Sequence, residues 1–452
     1  MAKNPNKVSV WQSLRNAWKV PDIRKKILYT FFMLLIFRLV SAIPAPGVDW
    51  ATVNSQTKSY AALDLLNAMT GGSLSQMTIM AMGVTPYINS SIIMQLLTIA
   101  IPALEKLSKS GPDGQKKITR ITRYVTVVLA ALQAWGIVAA LSYADGTWNK
   151  ILVAVSMAGG TALAMWIGER ITEKGIGNGI SLLIFIGIIS NLFNGFRTYL
   201  SNALSSPQIS YDSSYNLVSG SFDPYTGTQI SNGAWGAWAQ FLVLVIIAIV
   251  IIVVVTYVDM AVRRINVNYA KRVSGRKMFG GQNSIIPLKL VSVGVLPLIF
   301  AYSFMSFPST IITIVGGNGG FATWWNENMT SSGWLYMVVV ALLIVAFTYF
   351  YSSISFNPED MAKNIQQQGG MIPNVRPGKP TEQYLARVNS RLTLFAALFL
   401  AVLSIVPTLA TNLANINLPF AASSILISVS IVLETKRQLD DLLAARNYET
   451  LS

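Results

Sequence analysis

The run WAQFLVLVIIAIVIIVVVTYV, residues 238–258, decides the fold class of this chain. It carries no charged residue, and its length is enough to cross about 30 Å of hydrocarbon as one helix. A helix that is apolar on every side belongs in a membrane or deep inside a large protein. The run therefore predicts a membrane-spanning helix, and comparable runs recur before and after it along the chain.

Ten apolar runs of this kind predict ten transmembrane helices, with edges defined to within a few residues. The runs are Ile27–Ile43, Ile79–Ile101, Ile121–Leu141, Ile151–Ile167, Ile180–Phe196, Trp238–Val258, Leu290–Ile314, Leu335–Ile354, Leu392–Leu409 and Leu418–Leu433. Ten spans place both termini on the same side of the membrane. If the two sets of five are repeats, the second set inserts upside down relative to the first. The count favours an all-α polytopic membrane protein of two inverted five-helix halves, with a functional site where the halves meet.

The basic residues lie almost entirely on one side of the predicted membrane. All but four of the 34 Lys and Arg residues fall in the two tails and in alternate loops; the four exceptions are Arg38, Lys58, Lys150 and Arg197. The positive-inside rule makes this side, called the basic side below, the cytoplasmic one. Topology accounts for the net charge of +15. The alternative is a basic surface that docks an acidic partner, such as ribosomal RNA or a motor protein.

Composition excludes several classes of chemistry. The chain is 52% hydrophobic and only 12% charged, which is typical of an integral membrane protein. It contains no Cys and no His, so disulfides, thiolate catalysis, a His acid/base and a typical zinc centre are excluded. Metal sites built only from carboxylates stay open. We predict no catalytic residue, no metal site and no cofactor.

The first run raises the question of a cleaved signal peptide. Val40-Ser41-Ala42 has the small residues of a cleavage site. Arg38, however, lies late in the run, where the apolar region of a signal peptide is uncharged. We expect a retained helix.

The loops are too short for an independent soluble domain. The two largest loops of the basic side, 259–289 and 356–391, suit a hairpin or a short helix-turn element. On the opposite side, loop 197–237 is predicted to be a polar cap. In loop 315–334, Trp324, Trp325 and Trp334 either anchor the protein at the membrane interface or pack within the loop.

The segment Ser59–Thr78, SYAALDLLNAMTGGSLSQMT, is the unusual part of the first half. It is amphipathic, too short and too polar to span, and interrupted by Gly71-Gly72. Irregular backbone at membrane depth is tolerated only where protein buries it or where it lines a water-filled cavity. Two interpretations are open at this stage: an interfacial helix on the outer leaflet, or a re-entrant segment that folds back into a central pore.

The sequence contains no recognisable source of energy for active transport. The phosphate-binding pattern G-x-x-x-x-G-K-[ST] is absent, and the Gly-rich stretch Gly175 to Gly179 lacks a phosphate-binding Lys. Ion-coupled carriers usually keep a carboxylate inside their spans. Here the runs contain no Asp or Glu, and Arg38 is the one charge well inside a run. A passive conduit that is driven from outside fits best.

Six short motifs occur in order along the chain. They are Asp64 to Asn67 followed by Gly71 to Ser75, Met82 to Ile88 (MGVTPYI), Gly175 to Ser181 (GIGNGIS), Asn268 to Arg272 (NYAKR), Pro287 to Lys289 (PLK) and Val375 to Gly378 (VRPG). At these topological positions they resemble the SecY family, the channel subunits of the bacterial Sec translocon. The resemblance extends from about Val20 to Leu439. It implies a central pore that conducts unfolded polypeptides.

The resemblance implies that a ring of aliphatic side chains narrows this pore. The ring members are Val84, Ile88, Ile180, Ile184, Ile299 and Ile427. A narrow apolar constriction dewets and resists ions, and short side chains close around a moving chain without binding it. Helical spacing alone does not identify these residues, because aliphatic pairs one turn apart are usually plain packing.

The resemblance also implies a plug and a lateral gate. The plug, about Leu65 to Ser75, closes the resting pore from outside; its residues are Leu65, Leu66, Asn67, Met69, Gly71, Gly72 and Leu74. The gate lies between the second and seventh spans, has Asn89, Gln95 and Ser303 at its edges, and releases apolar segments into lipid. Ordinary interhelical hydrogen bonds are the alternative for these three polar residues.

On the basic side, the two large loops resemble the docking surface for the ribosome and for the motor ATPase SecA. The expected docking residues are Arg263, Arg264, Lys271, Arg272, Arg276, Lys277 and Arg376. Arg376 matches a functionally important Arg of the family, and a guanidinium suits bidentate contacts to carboxylate or phosphate. Pro377 and Gly378 restrict the turn that presents it. For the other residues, charge that only sets topology is the alternative.

The tenth span departs from the family pattern. It begins with Ala421-Ala422-Ser423-Ser424, where the family usually has Gly-Gly-Thr-Ser. The close approach expected at this point differs accordingly, which bears on the ring position of Ile427.

These observations predict one organisation and one function. The parts are a cytoplasmic tail 1–26, a first half 27–196, an outer loop 197–237, a second half 238–433 and a cytoplasmic tail 434–452. We expect a channel for unfolded preproteins in a bacterial cell membrane. We do not expect the channel to be an enzyme. SecE and SecG are the implied membrane subunits, and SecA or the ribosome supplies the work. The alternative is a ten-helix secondary solute transporter.

Overall fold

The structure, a computed structural model, is built almost entirely of helices. It describes residues 15, 17–48, 70–141, 146–204, 234–269, 272–274, 277–279, 283–291, 294, 296–315, 319–329, 333–414 and 422–449. The helices are α1 Pro21–Val40, α2 Thr85–Ala100, α3 Pro102–Lys109, α4 Pro112–Leu141, α5 Thr147–Lys174, α6 Gly179–Leu204, α7 Ala234–Asp259, α8 Leu296–Val315, α9 Gly320–Asn328, α10 Trp334–Ser355, α11 Pro358–Gln367, α12 Lys379–Ala414 and α13 Ala422–Glu449. The strands are β1 Val262–Tyr269, β2 Arg272–Ser274, β3 Lys277–Phe279, β4 Asn283–Lys289 and β5 Gly370–Met371.

Each of the ten predicted runs overlaps one of these helices, so the predicted all-α membrane architecture is confirmed. By length and hydropathy, four helices of the described part are able to cross a bilayer alone, or five if the bent pair α2 and α3 is one span. Shorter apolar helices accompany them at 179–193, 249–259 and 296–309. The exact number of spans stays a prediction.

Two predicted spans begin too early in the sequence. Residues 79–84 form turns, and α2 starts only at Thr85. Gly83 has a φ of +53°, which is incompatible with a right-handed helix, so α2 cannot begin before this residue. Residues 290 and 291 likewise precede α8. The Leu290 amide donates to the Ala261 carbonyl oxygen at 3.0 Å, which closes the base of a hairpin instead of extending a helix.

A central apolar cluster joins the two halves of the chain. It gathers buried side chains from α1, α2, α5 and α6 of the first half and from α7, α8, α10, α12 and α13 of the second. Direct contacts between α8 and both α2 and α4, and between α13 and α6, bring the halves together. The core of the bundle therefore lies where the halves meet.

The first helix is an integral part of the bundle. It packs against α5 and α6, and Phe37 joins the central cluster. The buried Thr30 hydroxyl oxygen accepts a hydrogen bond from the Ile176 amide at 2.9 Å. Retention of this helix after membrane insertion stays a prediction.

The three Trp residues of the loop between α8 and α10 have different environments. Trp325 packs against the central cluster, and its indole Nε1 donates to Ser309 Oγ at 3.0 Å. Trp324 and Trp334 are 46% and 72% exposed. Loop packing therefore explains Trp325, and interface anchoring stays a prediction for the other two.

The two large loops of the basic side fold into one module. Strands β1 and β4 form an antiparallel hairpin with Arg264 opposite Pro287, and β5 from the second loop pairs with the far end of β1. The hairpin packs on the two helices of the second loop. Its side chains Ile265, Val267 and Leu288 share a core with Ile365 of α11 and Leu385 of α12. The predicted hairpin and helix-turn elements are present, and they share a core.

Several predicted residues lie outside the described part of the chain. They are the plug residues Leu65, Leu66, Asn67 and Met69, the docking residues Lys271 and Arg276, and residues 205–233 of the outer loop.

Candidate functional site

The six aliphatic residues predicted to form a ring come together at the centre of the bundle. Val84, Ile88, Ile184, Ile299 and Ile427 are at most 5% exposed and belong to one cluster, and the partly buried Ile180 packs against it. Val84 immediately precedes α2, and the others lie on α2, α6, α8 and α13, so both halves contribute. Four of them, Ile88, Ile180, Ile184 and Ile299, line one cavity. The six residues together are called the constriction below, and their role as a pore ring stays a prediction.

The turn before α6 fixes the position of Ile180 and Ile184. Asn178 Oδ1 accepts hydrogen bonds from the Ile180 and Ser181 amides at 3.1 and 3.4 Å, which caps the helix. A Cβ on Gly179 would lie 1.9 Å from the Gly168 carbonyl oxygen of α5, so only glycine allows this approach. The GIGNGIS motif is therefore a tight helix hairpin that sets the start of α6 against α5.

A cavity of about 420 Å³ lies on the basic side of the constriction. Ile88, Ile180, Ile184 and Ile299 form its floor. The complete lining is Tyr87, Ile88, Ser91, Gln95, Thr119, Arg123, Glu169, Thr172, Glu173, Asn178, Ile180, Ser181, Ile184, Leu296, Ile299, Phe300 and Tyr351. The cavity opens towards the basic side, because Thr119 and Glu173 lie where α4 and α5 meet the basic loops.

The walls of this cavity differ in polarity. The wall from α4 and α5 is charged, and Arg123 Nε donates to Glu169 Oε1 at 2.7 Å. Glu173 on the same wall pairs with Arg170 at 2.8 Å. The wall from α8 and α10 is apolar and aromatic, with Phe300 and Tyr351 edge to face at 6.3 Å between ring centres.

The opposite side of the constriction is filled by the end of the Gly-broken segment. Residues 70–83 form turns inside the bundle, and Thr70, Ser73 and Leu74 are buried. The backbone is tied to the chain after α1, since the Ala45 amide donates to the Met77 carbonyl oxygen at 3.0 Å. The described part of Ser59–Thr78 is thus re-entrant rather than an interfacial helix, and its role as a plug stays a prediction.

Gly71 and Gly72 have different surroundings. A Cβ on Gly71 would lie 2.8 Å from the Gly187 carbonyl oxygen and 3.2 Å from Arg38 Nη1, whereas a Cβ on Gly72 would meet nothing within 4 Å. Both glycines have positive φ, +71° and +86°. Gly71 therefore packs directly on α6 at Gly187, which is three residues beyond the predicted ring residue Ile184.

The three predicted gate residues lie at two depths. Helices α2 and α8 are in contact, and Asn89 and Ser303 are almost fully buried, at 2% and 1% exposure. Asn89 lines a space of about 10 Å³ beside Thr70, while Gln95 lines the large cavity. The structure therefore does not bring all three into one place.

The contact between α2, α4 and α8 contains polar atoms without partners. Among the described residues, Asn89 Oδ1, Gln133 Oε1 and Ser303 Oγ accept or donate no hydrogen bond although they are buried. Unpaired buried polar atoms cost about 1–3 kcal/mol each. Gln133 was not among the predicted gate residues. A polar residue within the apolar run Ile121–Leu141 could have indicated that it is functional.

Three of the predicted docking residues, Arg263, Arg264 and Arg376, are exposed on the basic-side module, and the docking role of the whole set stays a prediction. Arg263 and Arg264 are exposed on β1, and Arg272 and Lys277 lie on the β2–β3 strand pair at the tip. Arg376 is exposed in a turn between Asn374 and Gly378, whose φ values are +65° and +91°. Thr381 Oγ1 donates to the Arg376 carbonyl oxygen at 2.8 Å and fixes this turn.

An ion pair joins the base of this module to α13. Arg437 Nη2 donates to Asp259 Oδ2 at 2.7 Å and also to the Asp259 carbonyl oxygen. Burial raises the pKa of Asp259, while Arg437 and Lys289 act to lower it. Burial also raises the pKa of the neighbouring Glu434 and lowers the pKa of Lys289. The pair fixes the start of the hairpin to the helix that carries Ile427.

In the part of the chain that the structure describes, no three His, Cys, Asp or Glu side chains are grouped to hold a metal ion. What the geometry offers is mechanical: a constriction, an open compartment on one side and a filled one on the other.

Comparison with known proteins gives a consistent result at three levels. The family model SecY matches residues 78–436. The protein translocase subunit SecY of Streptomyces scabiei is 40% identical over 455 residues, covering 96% of this chain and 98% of that protein. The subunit of the same name from Corynebacterium glutamicum is 37% identical over 465 residues, with the same coverage of 96% and 98%.

Solved structures share the fold at lower sequence identity. A structure described as a protein-conducting channel superposes with a TM-score of 0.64 at 19% identity, covering 94% of this chain and 96% of that one. Sec61 in a canine ribosome–channel complex from the endoplasmic reticulum superposes with a TM-score of 0.61 at 18% identity, with the same coverage.

Proposed function

Because this chain belongs to the SecY family of protein translocase subunits, we propose that it is a protein-conducting channel of the general secretory pathway. It translocates unfolded preproteins across the membrane and inserts apolar helices into it. One arrangement supports the proposal: four aliphatic residues of the central cluster line an open cavity of about 420 Å³, and the buried turns of residues 70–83 lie in the same bundle. The comparisons favour this function over the ten-helix solute transporter.

The constriction works as a gasket. Val84, Ile88, Ile180, Ile184, Ile299 and Ile427 offer no hydrogen bond and no charge to a passing chain, so they close around it without holding it. Without a chain they exclude water and ions, because a narrow apolar passage dewets. A site that bound each residue tightly would slow transport.

The re-entrant segment acts as the plug, and α2 and α8 form the lateral gate. The plug leaves towards the outer side, and the glycines at its end allow the bend. The unpaired Asn89, Gln133 and Ser303 atoms make the closed gate less stable than an apolar contact. Parting the two helices gives an apolar segment a route into lipid, while polar segments continue through the ring.

The basic-side module is the docking surface for the source of work. We propose SecA and the ribosome as partners there, with Arg376 and the exposed Arg residues of the hairpin as contacts, and SecE and SecG as membrane subunits. The channel is itself not an enzyme. It lies in a bacterial cell membrane as a multi-pass protein, with the basic side and both termini in the cytoplasm, in keeping with the positive-inside rule.

Crosslinking a stalled preprotein tests the conduit. The chain has no Cys, so a single Ile88→Cys substitution provides one reactive position on the constriction. A preprotein stalled by a folded C-terminal domain is expected to crosslink there. Leu342→Cys, 65% exposed on the outer surface of α10, is the control. Crosslinking at Leu342 and not at Ile88 would contradict a central path and return the solute transporter to consideration.

A charge reversal tests the docking surface. Arg376→Glu is expected to impair SecA-driven export at least tenfold while membrane insertion and topology stay normal. Lys379→Glu, the same reversal on another exposed residue of this turn, is the matched control with a small effect. Normal export in the Arg376 variant would remove the docking assignment and leave the conduit untouched.

A further inference from the structure

Arg38 carries a charge within the first predicted span, at a place that the proposed function does not use. It lies in the last turn of α1, near the outer side of the bundle. A charge at such depth is costly and usually functional. A structural role is the alternative, since a cation at a helix C-terminus is stabilising.

The guanidinium of Arg38 lies where the plug meets the conduit. A Cβ on Gly71 would be 3.2 Å from Arg38 Nη1 and 2.8 Å from the Gly187 carbonyl oxygen. Gly187 is three residues beyond the ring residue Ile184 on α6, about 4.5 Å along the helix axis. Arg38 thus stands roughly one helical turn outside the ring, behind the end of the plug.

The charge of Arg38 is not neutralised by any carboxylate among the described residues. Its contact is a weak one, from Nη1 to Ser41 Oγ at 3.4 Å. The ion pairs of the described residues lie elsewhere, and residues 70–84, which fill the outer compartment, carry no charge.

The compartment on the basic side differs in this respect. Its acidic residues Glu169 and Glu173 are paired with Arg123 and Arg170. Their fields largely cancel for an ion in the cavity. Within the described residues, the uncompensated charge nearest to the ring is therefore the positive one on its outer side.

We propose that Arg38 is a charge filter of the conduit, which repels cations whenever the plug has left and the ring is parted. This inference rests on the proposed function, because it needs an opening to act on. With Gly71 withdrawn, the guanidinium borders the passage and faces water. Fixed Arg side chains exclude protons and other cations from pores in this way. The filter biases leakage during polypeptide passage towards anions and so slows the loss of the proton gradient across the membrane.

The size of the effect follows from Coulomb's law. A unit charge about 5 Å from an ion in a water-like dielectric changes the local ion concentration about fourfold, in opposite directions for anions and cations. The chloride-to-potassium permeability ratio of the open conduit is therefore expected to be on the order of 10. It falls as salt concentration rises, because the charge is screened.

Ion selectivity of a plug-deleted channel tests the filter. The full chain lacking Leu65–Ser75, assembled with its membrane partners in a planar bilayer under a KCl gradient, gives the reversal potential. Arg38 is then compared with Arg38→Lys and Arg38→Gln. Because the deletion removes Gly71, any effect of these changes is not an effect on plug packing. The Lys variant is expected to keep the chloride preference, and the Gln variant to lose most of it.

Chemical restoration of charge guards against a folding defect. Arg38→Cys, in a chain without other Cys, reacts with either a cationic or an anionic methanethiosulfonate. The cationic adduct is expected to restore the chloride preference, and the anionic adduct to reverse it. If the channel conducts ions with the same selectivity in every Arg38 variant and adduct, the filter is wrong and the proposed conduit is unaffected. A plug deletion that conducts nothing would overturn the plug assignment, and the filter with it, while preprotein crosslinking at Ile88 tests the conduit separately.

Discussion

The two sides of the aliphatic ring are built in opposite ways. On the basic side lies a cavity of about 420 Å³ with charged and aromatic walls. On the other side, the turns of residues 70–83 fill the bundle and leave a space of about 10 Å³, room for one water molecule. Met77 and Met82 of these turns pack against Ile137 and Met157, and the Met side chains adapt to an irregular fit. Under the proposed function, this difference means that closure is one-sided: the conduit is ready to receive a chain and is sealed against its exit.

Removing the plug should abolish this difference and has the largest expected effect. Deletion of Leu65–Ser75 opens the outer compartment, so the ring alone separates two aqueous spaces. The ion conductance of the resting channel is expected to rise from near zero to readily resolved single openings in planar bilayers. Unchanged conductance would mean that the re-entrant segment is packing and that the seal lies elsewhere.

A polar residue in the ring should raise ion leak while the plug still fills the outer compartment. Ile184→Asn places a hydrated amide in the constriction and is expected to raise resting ion leak several-fold. Ile344→Asn, equally buried on α10 and outside the ring, is the control. Both changes bury an amide and are expected to cost about 2–3 kcal/mol of stability. Equal leak in the two variants would show that the ring has no special part in sealing.

Substitutions at two adjacent glycines, Gly71 and Gly72, distinguish the effect of plug packing from the effect of backbone strain. Gly71→Ala and Gly72→Ala both place a side chain at positive φ, which costs about 1–2 kcal/mol. Only the Gly71 change also drives a Cβ into the Gly187 carbonyl oxygen. A further cost of about 1.4 kcal/mol in the closed state corresponds to a tenfold higher open population. Leak in liposomes is therefore expected to be about tenfold higher for the Gly71 variant, and equal leak would argue against a close plug seat.

The smallest effect on the seal is expected at the rim of the basic side. Arg437→Ala leaves Asp259 buried without its partner and is expected to cost about 2 kcal/mol of stability, with leak unchanged. Lys436→Ala, which breaks no ion pair among the described residues, is the control.

The stability loss of Arg437→Ala should depend on pH. Burial already raises the pKa of Asp259, and removal of Arg437 raises it further. The protonated carboxyl needs no cation, so the loss is largest at neutral pH and shrinks as pH falls through the raised pKa. Thermal unfolding in lipid nanodiscs at pH 7.5 and 5 measures this difference. A loss that is independent of pH would mean that Arg437 stabilises through packing alone.

Apolar runs predicted the helices because every face of these segments meets lipid or other helices. Their ends were less predictable. The start of α2 depends on a positive φ at Gly83, and the start of α8 depends on a hairpin that pairs residues distant in sequence. The union of the two basic-side loops through β1 and β5 was not predictable for the same reason, since β5 is only two residues long.

The candidate site followed from resemblance more than from pattern. Ile88 and Ile184 look like any buried aliphatic residue of a helix, and only the structure places them on the floor of a cavity. Arg38, by contrast, was visible as a lone charge within an apolar run, but nothing in the sequence placed its guanidinium against Gly71. The different depths of Asn89 and Gln95 could have been predicted, because the two residues lie six positions apart on one helix, about 9 Å along its axis.

Reactivity of a single cysteine at Ile180 tests the central claim most directly. Ile180→Cys lies on the floor of the cavity, below the plug. A membrane-impermeant maleimide is expected to label it in inverted vesicles, where the cytoplasmic face is outside, and not in right-side-out vesicles. A stalled preprotein is expected to protect it. Labelling from the outer side at rest, or labelling that a stalled preprotein leaves unchanged, would contradict a one-sided conduit for polypeptides.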